Sequence, residues 1–272
     1  NRGRALSTGW LGLSLAEFSL PVLIVFLLTF IEWRDIWISI SILVIIILPA
    51  VSYVLVKDVK LDTREISSNT ESNKEIRQWT RIEVLKDYRF YIISMTMLAM
   101  PWIATGSFVY QSFITTSKEW GPYIIAQSFM AYSIFSVITL FIAGFLIDKF
   151  SSRRLLIYMN IPLFFATIVL FYFNSQISSF LFFGMIGITN GLANVLGSST
   201  WAEIYGVKYI GSIKALTTAL MVFATAFGTA LFGILIDYGF SIEQIAAVSG
   251  IYILSSIILL YLVKSKLNPE YL

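Results

Sequence analysis

The chain has 272 residues, of which 57% are hydrophobic and only 13% are charged. Soluble domains carry roughly 25% charged residues, so this composition excludes an ordinary water-soluble enzyme. The absence of histidine and cysteine excludes histidine-based triads, cysteine nucleophiles, disulfides and metal or haem sites built on either residue. The formal net charge of +3 is too small to indicate a nucleic-acid partner.

Apolar segments long enough to cross a bilayer recur along the whole chain. A membrane-spanning helix needs about 20 mostly apolar residues. Eight segments meet this requirement, at roughly 5–30, 36–56, 90–117, 122–147, 155–174, 177–200, 213–236 and 244–263. The sequence therefore predicts an all-α membrane protein with eight transmembrane helices.

The first predicted span carries an acidic residue near its centre. Glu17 lies about twelve residues into the span, about 18 Å from its end. An ionised carboxylate at that depth costs about 2.5–3.5 kcal/mol or more, so such a residue usually faces a cavity or a partner. Two interpretations stay open: a group that couples transport to protons or contacts a substrate, and a structural hydrogen bond to another helix.

A charged segment follows the second span. Residues 57–88 hold seven basic and seven acidic residues, so this segment cannot lie in hydrocarbon. Its middle, residues 67–70, reads as a flexible linker. Apolar residues spaced by three within 71–87 predict a short helix on the membrane surface.

The basic residues give the topology. If eight spans alternate, all 19 basic residues except Arg34 and Lys118 fall on the side of the N-terminus. Positively charged loops mark the cytoplasmic face. We therefore expect both termini and the linker 57–88 to be cytoplasmic.

Polar side chains also lie within two later spans. Asn190 and Asn194 are one turn apart in the sixth span, where they could form a polar wall of a substrate path or bond neighbouring helices. Trp102 and Gln111 in the third span could line the same cavity, or serve packing alone.

The loop between the fourth and fifth spans reads GFLIDKFSSRR, beginning at Gly144. Its glycine allows close helix packing, and Asp148 at the helix end can meet a neighbouring helix N-terminus or an arginine. Lys149, Arg153 and Arg154 form its basic cluster. A plain positively charged loop is the alternative interpretation.

This loop resembles the G-x-x-x-D-[RK]-x-G-R-[RK] signature of the major facilitator superfamily, with Ser151 and Ser152 in place of the usual Gly and Arg. The resemblance implies a gate motif made of Gly144, Asp148, Lys149, Arg153 and Arg154. Further segments are similar to the same family, at residues 2–6, 32–34 and 85–90. Residues 201–211 resemble the loop between helices ten and eleven in monocarboxylate-type and related bacterial members.

The register of these segments implies helices five to twelve of a twelve-helix transporter. In this interpretation, residues 1–56 are the last two helices of a truncated N-terminal bundle, 57–88 are the cytoplasmic linker, and 89–272 form a six-helix C-terminal bundle. The family also implies a monomer in the bacterial inner membrane.

The resulting expectation is a secondary active transporter of a small solute by alternating access, without a cofactor. Proton coupling and an organic anion as solute are finer expectations. The partners expected are a small-molecule substrate, the lipid bilayer and a coupling proton. A membrane-embedded lipid-modifying enzyme and a non-transporting sensor or scaffold are the alternatives, although a single mid-span carboxylate suits paired-carboxylate chemistry poorly.

Overall fold

The computed structural model describes residues 16, 18–20, 23–56 and 77–271. Of these described residues, 20 and 23–56 belong to one compact unit, and 77–271 belong to a second one together with 16, 18 and 19. In the smaller unit, α1 (Trp33–Val56) is a 24-residue apolar helix.

The larger unit is a bundle of helices from residue 81 onwards. Its α-helices are α2 (Arg81–Lys86), α3 (Tyr88–Val109), α4 (Gln111–Ser117), α5 (Pro122–Phe150), α6 (Ser152–Leu155), α7 (Ile161–Tyr172), α8 (Gln176–Tyr205), α9 (Ile210–Asp237) and α10 (Ile242–Val263). Single 3₁₀ turns, Leu156–Tyr158 and Lys264–Lys266, precede α7 and follow α10.

Seven helical segments of the described residues are long and apolar enough to cross a membrane. They correspond to the second to eighth predicted spans, which confirms the prediction of an all-α membrane protein. The first predicted span, 5–30, extends over residues outside the described part of the chain.

Two boundaries differ from the prediction. The third predicted span, 90–117, is interrupted at Tyr110, whose backbone (φ −98°, ψ 26°) leaves the helical conformation while its ring stacks on Phe232. The predicted surface helix is confined, in the described residues, to α2, because Thr80 and Glu83 form a capping box that begins the helix at Arg81.

Small residues determine how the long helices pack. In the bundle α8 lies against α5 and α7, α10 lies against α7 and α3, and α3 lies against α9. A Cβ at Gly187 would overlap the carbonyl oxygen of Tyr132, and one at Gly191 would lie 2.6 Å from that of Ser136. Close approach of this kind holds helices together in lipid, where apolar burial gives little driving force.

Candidate functional site

A pocket lies between α3, α8 and α9, and extends from the middle of α8 towards the end of the bundle that holds the start of α3. It encloses about 80 Å³, space for several water molecules. Its polar side chains are Ser94, Asn190, Asn194 and Thr217. The two asparagines predicted to line a solute path therefore share one cavity. Asn190 is near the midpoint of α8, about 22 Å from either end.

Soft apolar side chains form most of the remaining lining. Four of the chain's seven methionines line this pocket, namely Met97, Met100, Met159 and Met221. Trp201 lies at the same wall. Among the described residues, no charged side chain lines the pocket.

The two asparagines differ in their hydrogen bonds. Asn190 donates through Nδ2 to Ser136 Oγ of α5 at 3.0 Å, so it also joins two helices. No hydrogen bond links the side chain of Asn194, one turn further along the pocket wall, to another described residue. Asn190 thus fits both interpretations offered by the sequence, whereas only the cavity explains the position of Asn194.

The other predicted path residues lie elsewhere. Trp102 is buried in the interior, where its ring makes edge contacts with Phe227, Phe232 and Tyr252 at centroid distances of 5.3–6.3 Å. Gln111 begins α4, beyond the break at Tyr110. Neither lines the pocket of Asn190 and Asn194. Glu17 lies outside the described residues.

One end of the bundle, here called the charged end, holds the predicted gate loop. Glu203, near the end of α8, accepts hydrogen bonds from the backbone N–H and the hydroxyl of Ser152, at 2.9 and 2.5 Å. Its other oxygen forms an ion pair with Arg153 Nε at 3.0 Å. Glu203 therefore holds both the start of α6 and the side chain of Arg153 in place.

The remaining gate-motif residues are arranged differently. Gly144 is buried in α5, as a packing glycine should be, whereas Asp148, Lys149 and Arg154 are exposed. No ion pair or hydrogen bond joins the Asp148 side chain to another residue of the described part. Of the five predicted gate residues, Arg153 is the one bound into a polar network within the described bundle.

A second polar network at the charged end centres on two buried residues. Asp87 accepts from Arg89 Nε at 2.7 Å and from the Tyr205 hydroxyl at 2.9 Å. Arg89 also pairs with Glu270 Oε1 at 2.8 Å, and the second oxygen of Glu270 pairs with Arg77 at 3.0 Å. The side chains of Arg89 and Asp87 are only 8% and 5% exposed.

The C-terminal tail, residues 264–271, joins the two networks. Asn268 accepts from Arg153 Nη1 through its side chain at 2.6 Å and from Arg89 Nη1 through its carbonyl at 3.4 Å. Glu270 binds the linker through Arg77. The linker, the gate loop and the tail are therefore one connected polar assembly.

Glu83 illustrates the electrostatics of the charged end. The backbone N–H and the hydroxyl of Thr80 both donate to one of its oxygens, and Arg77 pairs with the other at 2.9 Å. These interactions lower the pKa of Glu83 to about 2 from its ordinary value of 4.5. The same carboxylate raises the pKa of Arg77. The Arg77 guanidinium also lies over the Trp79 ring, 4.3 Å from its centroid.

The opposite end has its own ionic contact. Lys118 has a fully buried side chain whose Nζ lies 2.7 Å from Glu243 Oε1 and 2.8 Å from Asn174 Oδ1. This contact links the end of α4 to the start of α10 and to the turn before α8.

The sequence interpretation did not assign Glu203, Asp87, Arg89 or Glu270 to a site. A usable signal existed, because the predicted topology places all four on the same face as the basic loops. Acidic residues on a face rich in arginine and lysine are candidates for ion pairs. Which partner each one chooses depends on the packing of the helices.

Apolar helices spanning a membrane, a neutral pocket between them and a polar assembly at one end define an integral membrane protein of the helical-bundle class. The family model described as Major Facilitator Superfamily matches residues 1–229 and 91–271. The chain belongs to the major facilitator superfamily and is a membrane transporter, not an enzyme. No curated protein matches the chain.

Proposed function

We propose that the chain is part of a secondary active transporter that moves a small solute by alternating access through the pocket between α3, α8 and α9. The observation that carries this proposal is the position of the pocket. It begins at Asn190, near the midpoint of a helix that spans the membrane, and extends from there towards the charged end. Transporter sites near the bilayer midplane can open to either face by movement of one helix bundle against another.

The proposed organisation follows the sequence interpretation. Residues 1–56 belong to an N-terminal bundle, 57–88 are a cytoplasmic linker, and 89–272 form the C-terminal bundle. The distribution of basic residues supports cytoplasmic termini. The protein is proposed to act as a monomer in a bacterial inner membrane.

The charged end is proposed as the cytoplasmic gate. Arg153 is held by Glu203 and Asn268, so this part of the motif is anchored within the C-terminal bundle. Gly144, about one turn before Asp148, is buried in α5. Asp148, Lys149 and Arg154 are exposed and so remain available to a second bundle when the gate closes.

Coupling and charge selectivity are proposed separately. Glu17 is the proposed proton-coupling group, since it is the one carboxylate near the centre of a predicted span. An organic anion is a weaker proposal, because no lysine or arginine lines the described pocket.

Side-specific labelling of an introduced cysteine tests alternating access without knowledge of the substrate. The chain contains no cysteine, so Ala193→Cys places a single thiol in the pocket wall. We expect a membrane-impermeant methanethiosulfonate to modify this thiol in vesicles of both orientations, because the pocket opens to each face in turn.

Two exposed control positions calibrate the labelling. Thr116→Cys lies in α4, at the end opposite the charged end, and Ser265→Cys lies in the C-terminal tail. Each should react from a single face, and the two faces should differ. Modification of Ala193→Cys from one face only, under every condition, contradicts alternating access.

The same labelling tests proton coupling. In the Ala193→Cys background, the rate of modification from one face is divided by the rate for the exposed Ser265→Cys thiol at the same pH, because thiol ionisation alone makes either rate depend on pH. This ratio should still depend on pH, because protonation of Glu17 shifts the conformational equilibrium. Glu17→Gln should remove this dependence. Glu32→Gln, the same change at a helix start, should keep it. An unchanged pH profile in Glu17→Gln shows that Glu17 is structural.

A further inference from the structure

The lining of the central pocket carries information on the charge of its ligand. Every described Lys, Arg, Asp and Glu lies outside the pocket wall, most of them near helix ends or in the segments between helices. An ion placed in an apolar interior without a counter-charge loses several kcal/mol of hydration free energy. The described wall therefore favours an uncharged ligand.

The apolar part of the wall is unusually adaptable. Met97, Met100, Met159 and Met221 come from two helices and the turn before α7, yet converge on one cavity with Trp201. Methionine is flexible and polarisable, and its sulfur makes favourable contacts with aromatic rings. Such a wall suits a flat or irregular apolar body.

Hydrogen-bonding groups are present in the same wall. The Ser94 hydroxyl is buried and has no hydrogen-bond partner among the described residues. A buried polar group left unpaired costs about 1–3 kcal/mol, which a ligand could recover. Asn194 offers a second donor and acceptor. Because Pro101 has no N–H, the Met97 carbonyl also lacks its usual helical donor.

The polar groups are spread along the cavity. On α8, the wall runs from Asn190 to Trp201, a rise of about 16 Å. On α3, it runs from Ser94 to Pro101, about 10 Å. The cavity is thus a slot with polar groups along its length and methionines between them.

We infer that this slot binds an uncharged solute with an aromatic or apolar body and an amide-like hydrogen-bonding edge, with Ser94 and Asn194 as the specificity-determining contacts. This inference rests on the proposed transport function, and it replaces the organic anion expected from sequence similarity with a neutral class of substrate.

Three probes of nearly equal size separate the effects of charge from those of shape. Benzamide is neutral, benzoate is an anion and benzamidine is a cation at neutral pH. Each is added while a small neutral methanethiosulfonate modifies Ala193→Cys. Benzamide should slow the reaction about threefold once its concentration is about twice its dissociation constant. Benzoate and benzamidine should not slow it, and Thr116→Cys should be unaffected by all three.

A matched pair of serine variants tests the hydrogen-bonding contact. Ser94 and Ser133 both have buried hydroxyls without a partner among the described residues, but only Ser94 lines the pocket. In the Ala193→Cys background, Ser94→Ala should remove most of the protection by benzamide, and Ser133→Ala should keep it.

Protection by benzoate or benzamidine equal to that of benzamide overturns the neutral class, and so does the lack of protection by any probe. Protection that survives Ser94→Ala overturns the assigned contact. Alternating access stands or fails independently, because labelling of Ala193→Cys from both faces needs no probe.

Discussion

The charged end and the central pocket differ in how their polar groups are paired. At the charged end, full charges are paired with each other and with backbone groups, as Arg89 is with Asp87, Glu270 and two carbonyls. In the pocket, polar side chains are neutral and two of them, Ser94 and Asn194, have no partner among the described residues. Lipid restricts full charges to helix ends near water, so hydrogen-bonding capacity left free within the spans is available for a solute.

The largest effect is expected when one charge is removed from the buried pair of Asp87 and Arg89. Asp87→Asn leaves the guanidinium of Arg89 in a buried position with a weaker partner. Loss of one member of a buried ion pair costs about 3–5 kcal/mol. We expect a large fall in the apparent Tm of the purified protein, measured by thermal unfolding in detergent.

Asp148→Asn is the matched control, because Asp148 is exposed and has no partner in the described bundle. It should leave the apparent Tm nearly unchanged, as most surface substitutions do. Equal effects of the two variants would mean that the Asp87 network does not stabilise the charged end.

A smaller effect is expected from helix packing beside the pocket. Gly187→Ala places a methyl group against the backbone of Tyr132 in α5, and overpacking of this kind costs about 1–3 kcal/mol. Gly197→Ala, ten residues along the same helix, meets nothing within 4 Å. We expect a lower apparent Tm for Gly187→Ala and an unchanged or slightly higher one for Gly197→Ala. The reverse order contradicts the assigned α5–α8 interface.

Much of the fold follows from the sequence because it depends on local composition. Apolar runs of about 20 residues predict spans without knowledge of the neighbours, and seven of the eight predictions have matching helices in the described residues. The break at Tyr110 was missed, because it accompanies the stacking of that ring on Phe232, which is more than 100 residues away.

The candidate site is predictable in part. Asn190 and Asn194 are identifiable because amides are rare in lipid-facing positions. Ser94 and the methionines are not, since single serines and methionines are ordinary constituents of membrane helices and only the packing of α3, α8 and α9 brings them together. Trp102 is the opposite case. The sequence suggests that this aromatic residue lines the path, but in the structure its ring packs against other aromatic rings.

The smallest effect is expected for Glu83, at the exposed edge of the charged end. The pKa of Glu83 is lowered to about 2. A lowered pKa means that the stabilising contacts of this carboxylate are fully present above its ordinary pKa of 4.5 and are lost as the pH falls towards 2. A carbon-13 NMR titration of the Glu83 carboxyl group should therefore show its midpoint near pH 2.

Thr80→Ala removes the hydroxyl that donates to Glu83 and should move that midpoint upwards, towards 4.5. Thr116→Ala, at an exposed threonine in α4, should leave it unchanged. The effect on overall stability should be slight, because Arg77 and Glu83 are both well exposed and such pairs contribute little. A wild-type midpoint near 4.5 would show that the capping box and the Arg77 contact do not form in solution, and would confine the polar assembly of the charged end to its buried members.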